Sequence, residues 1–450
     1  MRVVFCISSS IFLWINWLLT KGVLEWVVNL GKLYLEKNVY EATLERLDKV
    51  FSEDVAVYFS FSGGKDSSVM LQIANQVAKK KGRVFDVLFI DLEGNYSYTL
   101  EHIQELKKLS QINKFYWVCL PLILRNSVSQ FSTHWMCWDR RQKDLWIHNL
   151  PEDCINEDNY LKRYGWDFFI SGMQFETFIV LFAKWYQKKH NKPVMCGVGI
   201  RSNESFNRFR TIISQKKETW KKQQWTTLIQ TDQHLPIYNF YPIYDWQTRD
   251  IWIAVANLNL KYNRIYDLFY KSGLSIHEAR VCQPYGDDQR KGLQHFKTIE
   301  PNTWSKLLIR VGGVNFGNIY AKNLGLAFMR LEKPKHLSWQ EYTVFLLESI
   351  GTVNESLMLH YAKKIKRFLY WYNVKKGIHV ADFAPKHLES KKVTPSWRRC
   401  AKMILKNDYY GRSLSFAQTK SDDMELKRML EREEKIGNNF IDTLLGREHS

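Results

Sequence analysis

Residues 58–70, "YFSFSGGKDSSVM", run from an apolar stretch into two glycines, a lysine, an acid and two serines. The segment "VYFSF" (57–61), uncharged and rich in aromatics, reads as a buried strand. The following "SSVMLQIANQVAKKKG" reads as a helix, with Val69, Met70, Ile73, Ala74 and Val77 on one face and Gly82 beyond a lysine-rich end. Between them, Gly63 and Gly64 allow a tight turn whose N–H groups approach a ligand closely, and the new helix adds the positive end of its dipole. This is the construction of a phosphate cradle. It is not a Walker A loop, which needs a further glycine five residues before Gly64.

Downstream, "VFDVLFIDLEGNYSYTLEHIQELKKL" reads as strand, loop and helix, with Asp91 and Glu93 at the strand's carboxyl end, where open parallel sheets place ligand contacts. "KFYWVCLPL" reads as a third strand, and "WDFFISGMQF" and "PVMCGVGI" as further ones. Strands alternating with helices predict a doubly wound parallel α/β sheet. "PVMCGVGI" runs into "RSNESFNRFR", so Arg201, Glu204, Arg208 and Arg210 follow a strand at once. Guanidinium forks suit phosphate or sulfate, and a glutamate can hold one fork in place. "FYPIYDWQTRDIWIAVANLNL" then gives an extended segment, an aspartate at a helix start and an amphipathic helix.

The whole chain sets the bounds. Its 450 residues accommodate two domains or one large domain with an extension. A composition of 45% hydrophobic and 25% charged residues is globular, without low-complexity tracts or repeats. The formal charge of +19 points to polyanions such as nucleotides or nucleic acid, or to a merely basic soluble protein. From Lys291 onward there are 28 Lys+Arg against 16 Asp+Glu, an excess of 12 in about a third of the chain. "KKIKRF" (363–368) and "KKVTPSWRRCAKMILK" (391–406) carry much of it. The seven cysteines form no C-x-x-C pair, so a disulfide framework is not expected and a reducing, cytoplasmic location is. "MRVVFCISSSIFLWINWLLTKG" at the N-terminus has the outline of an anchor but is marginal in length. An apolar helix packed on the domain, or upstream sequence read from a misplaced start, is preferred to a membrane anchor.

Five motifs occur in order: Ser62-Gly63-Gly64-Lys65-Asp66-Ser67, "FID" (89–91), "GIRSNESFNR" (199–208), "YPIYDWQTRDIW" (241–252) and "YDLFYKSGLS" (266–275). Together they resemble the PAPS reductase/ATP-sulfurylase-like branch of the PP-loop pyrophosphatase superfamily. The resemblance implies an adenine nucleotide alpha hydrolase-like fold over residues 40–290, after an apolar extension (1–39) and before a basic, mostly helical region (291–450). The rest of the chain, with "CQPYGDDQRKGL" (282–293), "RVGGVNFGNIYA" (310–321) and "SWRRCAKMILKNDYYGRSLSF" (396–416), resembles the extension of bacterial and phage proteins of the immunoglobulin-binding regulator A type.

The resemblance implies that Ser62, Gly63, Gly64, Lys65, Asp66 and Ser67 grip the pyrophosphate of ATP (or PAPS), with Mg²⁺ shared by oxygens. It places Asp91 near the nucleoside or metal, and Arg201, Glu204 and Arg208 near the transferred or attacking anion. Lys65, Asp66, Arg201, Glu204 and Arg208 are the implied catalytic set. The implied activity is ATP-dependent adenylyl transfer with pyrophosphate release, in sulfur metabolism or sulfur modification. PAPS or APS reduction is a second reading, weakened because the chain ends "LLGREHS" without a cysteine-containing tail and its last cysteine, Cys400, lies among basic residues. A non-catalytic nucleotide-binding regulator is a third. An iron–sulfur cluster is not expected, since "IHEARVCQPYG" keeps only Cys282 of the usual cysteines. Nucleic acid or an acidic protein is the expected partner of the basic region, and a membrane is not.

Overall fold

The structure, a computed structural model, describes residues 36–444 apart from 128, 130–131, 215–216, 233–234, 284, 287–292, 313–332, 335 and 353. The N-terminal apolar run and most of "RVGGVNFGNIYA" lie outside the described residues. Helix α1 (Val39–Phe51) opens on a reciprocal capping box between Asn38 and Glu41 and buries Val39, Leu47 and Val50. Strand β1 (Ala56–Phe61) leads into α2 (Lys65–Lys80), then β2 (Phe85–Ile90), α3 (Ser97–Leu106) and β3 (Ile112–Val118). The short strands β4 (Leu122–Arg125), β5 (His134–Met136) and β6 (Met173–Gln174) follow, and β6 leads directly into α4 (Phe175–His190). After these come β7 (Val194–Val198), α5 (Phe206–Ile213), β8 (Thr226–Asp232), β9 (Leu235–Phe240), α6 (Thr248–Asn257) and α7 (Ile265–Lys271).

The main sheet has the order β3-β2-β1-β7-β9-β8, parallel throughout except that β8 runs antiparallel to β9. On α2 the expected face, Val69, Met70, Ile73, Ala74 and Val77, is buried. In the core, Phe59 of β1 meets Phe85 and Phe240 edge-on, with centroids 5.0 and 5.6 Å apart. The chain moves from β1 to β2 and β3 on one side, while β7 pairs with β1 on the other. The strand order therefore reverses between β1 and β7, and the crevice beyond their carboxyl ends is the place such sheets bind ligands.

Two compact units are present. The first holds this sheet and comprises the described residues up to Leu120, Asn149–Ile170 and Glu176–Val281. The second comprises Pro121–His148, Ser171–Phe175 and Cys282–Ser450. Within it β4 pairs antiparallel with β5 and parallel with β6. Its described helices include α8 (Leu293–Ile299), α9 (Pro301–Arg310), α10 (Trp339–Gly351), α11 (Glu355–Tyr370), α12 (Trp397–Leu405) and α13 (Lys420–Leu444). A single apolar cluster joins α10, α11, α12 and α13 and includes Ile123 of β4. The C-terminal region is thus helical, as the sequence predicts, and it incorporates strands supplied from the middle of the chain.

One expected strand is corrected. In "WDFFISGMQF" only Met173 and Gln174 are extended and paired. Trp166 and Phe169 are buried instead, and Trp166 lies 5.7 Å from Phe178 and 5.8 Å from Phe182 of α4. These rings gain more by filling the space over α4 than by pairing at a sheet edge. Among the described residues, no helix is long and apolar enough to cross a membrane.

Candidate functional site

The turn after β1 is built as its sequence demands. Gly63 sits at φ +71°, and a β-carbon there would lie 2.8 Å from Cγ2 of Thr99. Only glycine meets both conditions at low cost. Gly64 is the N-cap of α2 and provides no side-chain cap, so the helix start is left to other donors and acceptors. The turn is braced from several sides. Ser67 Oγ donates to the Gly64 carbonyl (3.1 Å) and accepts from Ser62 N (3.3 Å). Asn263 donates to the Gly63 carbonyl (3.1 Å) and to Thr99 Oγ1 (2.9 Å). Lys65 N donates to the Tyr266 hydroxyl at 3.0 Å.

The charged centre is a file of three groups, two buried cations and a partly buried carboxylate. Lys65 and Arg201 are 4% and 2% exposed, so neither is a solvated surface cation. Asp66 lies between them: Lys65 Nζ is 3.2 Å from one carboxylate oxygen and Arg201 Nε is 2.6 Å from the other. Two cations against one anion leave a net positive charge at the amino end of α2, adding to the helix dipole. The Lys65 ammonium also lies 5.6 Å from the Tyr266 ring centroid. The arginine is fixed further by Asn203 Oδ1 (2.8 Å) and Thr248 Oγ1 (3.3 Å).

The loop after β7 is drawn onto α2 at Gly199, where a β-carbon would lie 3.0 Å from the Ser67 α-carbon. The Arg201 amide donates to Glu204 Oε2 (3.2 Å), and that same oxygen accepts from Arg208 Nη1. Ser202 N donates to the Tyr244 carbonyl (2.8 Å), tying this loop to the turn after β9. That turn is anchored in its own right: Arg46 of α1 grips Asp245 with two bonds (2.8 and 2.7 Å) and the Pro242 carbonyl with another (2.7 Å).

The structure therefore brings together Ser62, Gly63, Gly64, Lys65, Asp66, Ser67, Arg201, Glu204 and Arg208 in one hydrogen-bonded assembly. Asp91 turns inward, accepting from Glu93 N (3.0 Å), Asn95 Nδ2 (2.8 Å) and Trp117 Nε1 (3.0 Å), and it is fully buried. Arg210 is exposed. Sequence reasoning missed Thr99, Asn203, Thr248, Asn263 and Tyr266. The available signal was the polar pair in "YNRIYDLF", an asparagine and a tyrosine flanking the start of an apolar helix.

Behind the turn, Ser68 Oγ meets His102 Nε2 at 2.8 Å, and burial pushes the His102 pKa down from 6.5 to about 4. Its neutral form is the one the fold accommodates, so the associated stability is complete above pH 6.5 and is lost as pH falls towards 4. The loss reaches roughly 3 kcal/mol by the lower limit. Urea midpoints at pH 7 and pH 5 are expected to differ by more in the parent protein than in His102→Gln. Equal differences in both would place the acid sensitivity elsewhere.

Residues 56–273 match the phosphoadenosine phosphosulfate reductase domain, and residues 273–393 match a domain of unknown function, DUF3440. The chain is 38% identical over 403 residues to the uncharacterized protein YbdN of Escherichia coli K12, covering 88% of this chain and 95% of that one. It belongs to the phosphoadenosine phosphosulfate reductase domain family. Within that family it carries the DUF3440 extension. It is also 24% identical over 233 residues to the uncharacterized protein MJ0973 of Methanocaldococcus jannaschii, spanning 52% of this chain but 44% of that protein. Among solved structures, the PAPS reductase of Candida auris in its phosphate complex aligns at 13% identity and TM-score 0.27, over 59% of this chain and 93% of that one. The U34-tRNA thiolase NcsA of Methanococcus maripaludis, solved with its [4Fe-4S] cluster, aligns at 11% identity and TM-score 0.28, over 65% and 82%.

Proposed function

We propose that this PAPS reductase-family protein is an enzyme that binds ATP at the Ser62–Ser67 turn. It activates an acceptor by adenylyl transfer and releases pyrophosphate, in sulfur metabolism or sulfur modification. The observation that supports this best is the Lys65–Asp66–Arg201 file at the start of α2, where the N-cap glycine brings no side-chain cap of its own. Backbone donors and a net positive charge there suit the β- and γ-phosphates, where negative charge develops as the bond from the α-phosphorus to pyrophosphate breaks. In this reading Lys65 stabilises the leaving pyrophosphate, and Asp66 and Arg201 hold it in place. Glu204 orients Arg208, whose partly exposed guanidinium receives the acceptor anion.

Mg²⁺ would be carried by the phosphate oxygens. The Asp66 oxygens already face Lys65 and Arg201, and the described residues gather no group of three or more His, Cys, Asp or Glu side chains that could hold a metal ion, so no step is assigned to a metal. The reductase reading needs a reactive thiolate. Cys400 is buried, and burial pushes its thiol up to about 12, the reverse of an activated cysteine.

The test is to incubate the purified chain with γ-labelled ATP or with PAPS and a cell extract, and to identify the products. Pyrophosphate supports adenylyl transfer, sulfite supports the reductase, and neither supports a nucleotide-binding regulator. Arg208→Ala is expected to weaken acceptor turnover by about 10- to 150-fold, the equivalent of losing one charge-assisted contact, while ATP affinity stays the same. An equal loss in ATP affinity would assign Arg208 to the nucleotide.

A further inference from the structure

The excess positive charge of the second unit is not used by the site above, and the structure sorts it into two groups. Some of it is internal. Lys364 is buried and pairs with Asp422 at 2.8 Å. Arg399 is buried and donates to the carbonyls of Ser413 (2.8 Å) and Thr394 (2.9 Å), and Arg398 pairs with Glu389 at 2.8 Å. These residues hold α11 and α12 in their unit and offer nothing to a polyanion.

The remainder faces solvent, and part of it lines the end of α11. Its buried stripe is Leu357, Tyr361, Lys364, Ile365 and Phe368, and the opposite positions Lys363, Lys366, Arg367 and Tyr370 are exposed. At Trp371 the helix widens into a π-turn, Trp371–Lys375, closed by a Lys376 N to Trp371 O bond of 3.0 Å. Such a turn ends a helix at some cost in hydrogen-bond geometry. This one holds two large rings out of the core: Tyr370 is 52% exposed and Trp371 53%. Each ring has an ammonium beside it, with Lys375 Nζ 6.0 Å from the Tyr370 centroid and Lys376 Nζ 5.8 Å from that of Trp371. From Lys363 to Ala381 there is no Asp or Glu.

We infer that the π-turn at the end of α11 is a binding platform for single-stranded nucleic acid, with bases stacking on Tyr370 and Trp371 and phosphates held by Lys363, Lys366, Lys375 and Lys376. An exposed ring with a cation at its side is the pairing that sequence-tolerant strand binding uses, and each stacked base contributes a substantial share of affinity. Paired bases cannot offer their faces, so a duplex satisfies only the lysines. An anionic bilayer would need a continuous apolar face. Here Asn373, Lys375, Lys376 and His379 interrupt the exposed Trp371, Val374 and Ile378.

Fluorescence anisotropy of the full chain tests this against labelled 20-nucleotide oligouridylate, oligothymidylate and a duplex of equal length, over a salt series. Flotation with phosphatidylserine-containing vesicles runs in parallel. Single strands of either sugar are expected to bind at least ~10-fold tighter than the duplex, with log K falling by ~0.7 per neutralised phosphate for each unit of log salt. Trp371→Ala should weaken single-strand binding about 5- to 100-fold with the salt slope unchanged, and Trp371→Phe should restore most of it. Lys375→Glu with Lys376→Glu should weaken binding at least ~10-fold and flatten the slope by roughly 1–2. Because these residues lie outside the Lys65 site, pyrophosphate release without nucleic acid should be unaffected, so the two readings fail separately. Equal binding of duplex and strand with no effect of Trp371→Ala, binding to vesicles alone, or no salt-sensitive binding would each overturn the platform.

Discussion

Lys65→Met is expected to leave a folded protein whose pyrophosphate release falls by about 10²–10³-fold, the usual cost of removing one donor from a charge-stabilising site. Methionine keeps the methylenes that occupy this buried position beneath Tyr266, and it deletes only the ammonium. Asp66 keeps Arg201 as its partner, so no carboxylate is stranded and the melting temperature should move little. Labelled ATP turnover and a thermal melt check the two halves together. Undiminished turnover in a folded Lys65→Met protein would remove the turn from the reaction.

Arg201→Met should act differently, because it strikes stability as well as activity. The guanidinium is inaccessible and spends its donors on Asp66, Asn203 and Thr248. Removing one member of a buried pair typically costs ~3–5 kcal/mol, most of it from the partner left uncompensated. Here Lys65 remains beside Asp66, which places the expected loss at the lower end. ATP affinity should fall as well, since Asp66 is then free to neutralise Lys65. Asp66→Asn combined with Arg201→Met should recover much of the stability and none of the activity. Urea denaturation of the four proteins gives the coupling directly. A parent-like midpoint for Arg201→Met alone would show that this pair does not hold the loop.

The turn itself was legible because everything that makes it lies within a few residues: a strand's apolar run, two glycines, a helix start. The parallel sheet was legible for a similar reason, since the alternation of strands and helices is written along the chain. Arg201 was legible as part of the site but not in its posture. Its sequence neighbours suggest a free anion-binding fork, whereas its partner Asp66 is 135 positions away. Asn263 and Tyr266 were invisible as bracing residues because the groups they touch lie 200 and 201 positions earlier. The basic runs show the same limit. "KKIKRF" reads as uniformly charged surface, yet Lys364 lies on the buried stripe of α11, and which face is buried depends on what packs there.

The second unit takes its small sheet from residues made long before its helices. Asn407 donates to the Asn126 carbonyl at 2.9 Å, and Arg310 donates to the Met136 carbonyl at 2.7 Å, contacts that close spans of 281 and 174 residues. During synthesis, β4 and β5 therefore leave the ribosome well before the segments that cover them. At ~5–20 residues per second, that wait lasts on the order of ten seconds or more. For that interval Ile123 and its neighbours are an unprotected apolar edge, a template for wrong pairing. A ribosome stalled just before α12 leaves a chain that lacks the Asn407 contact and the share of the apolar cluster that α12 supplies. The fold thus makes the yield of intact protein depend on translation running on through α12.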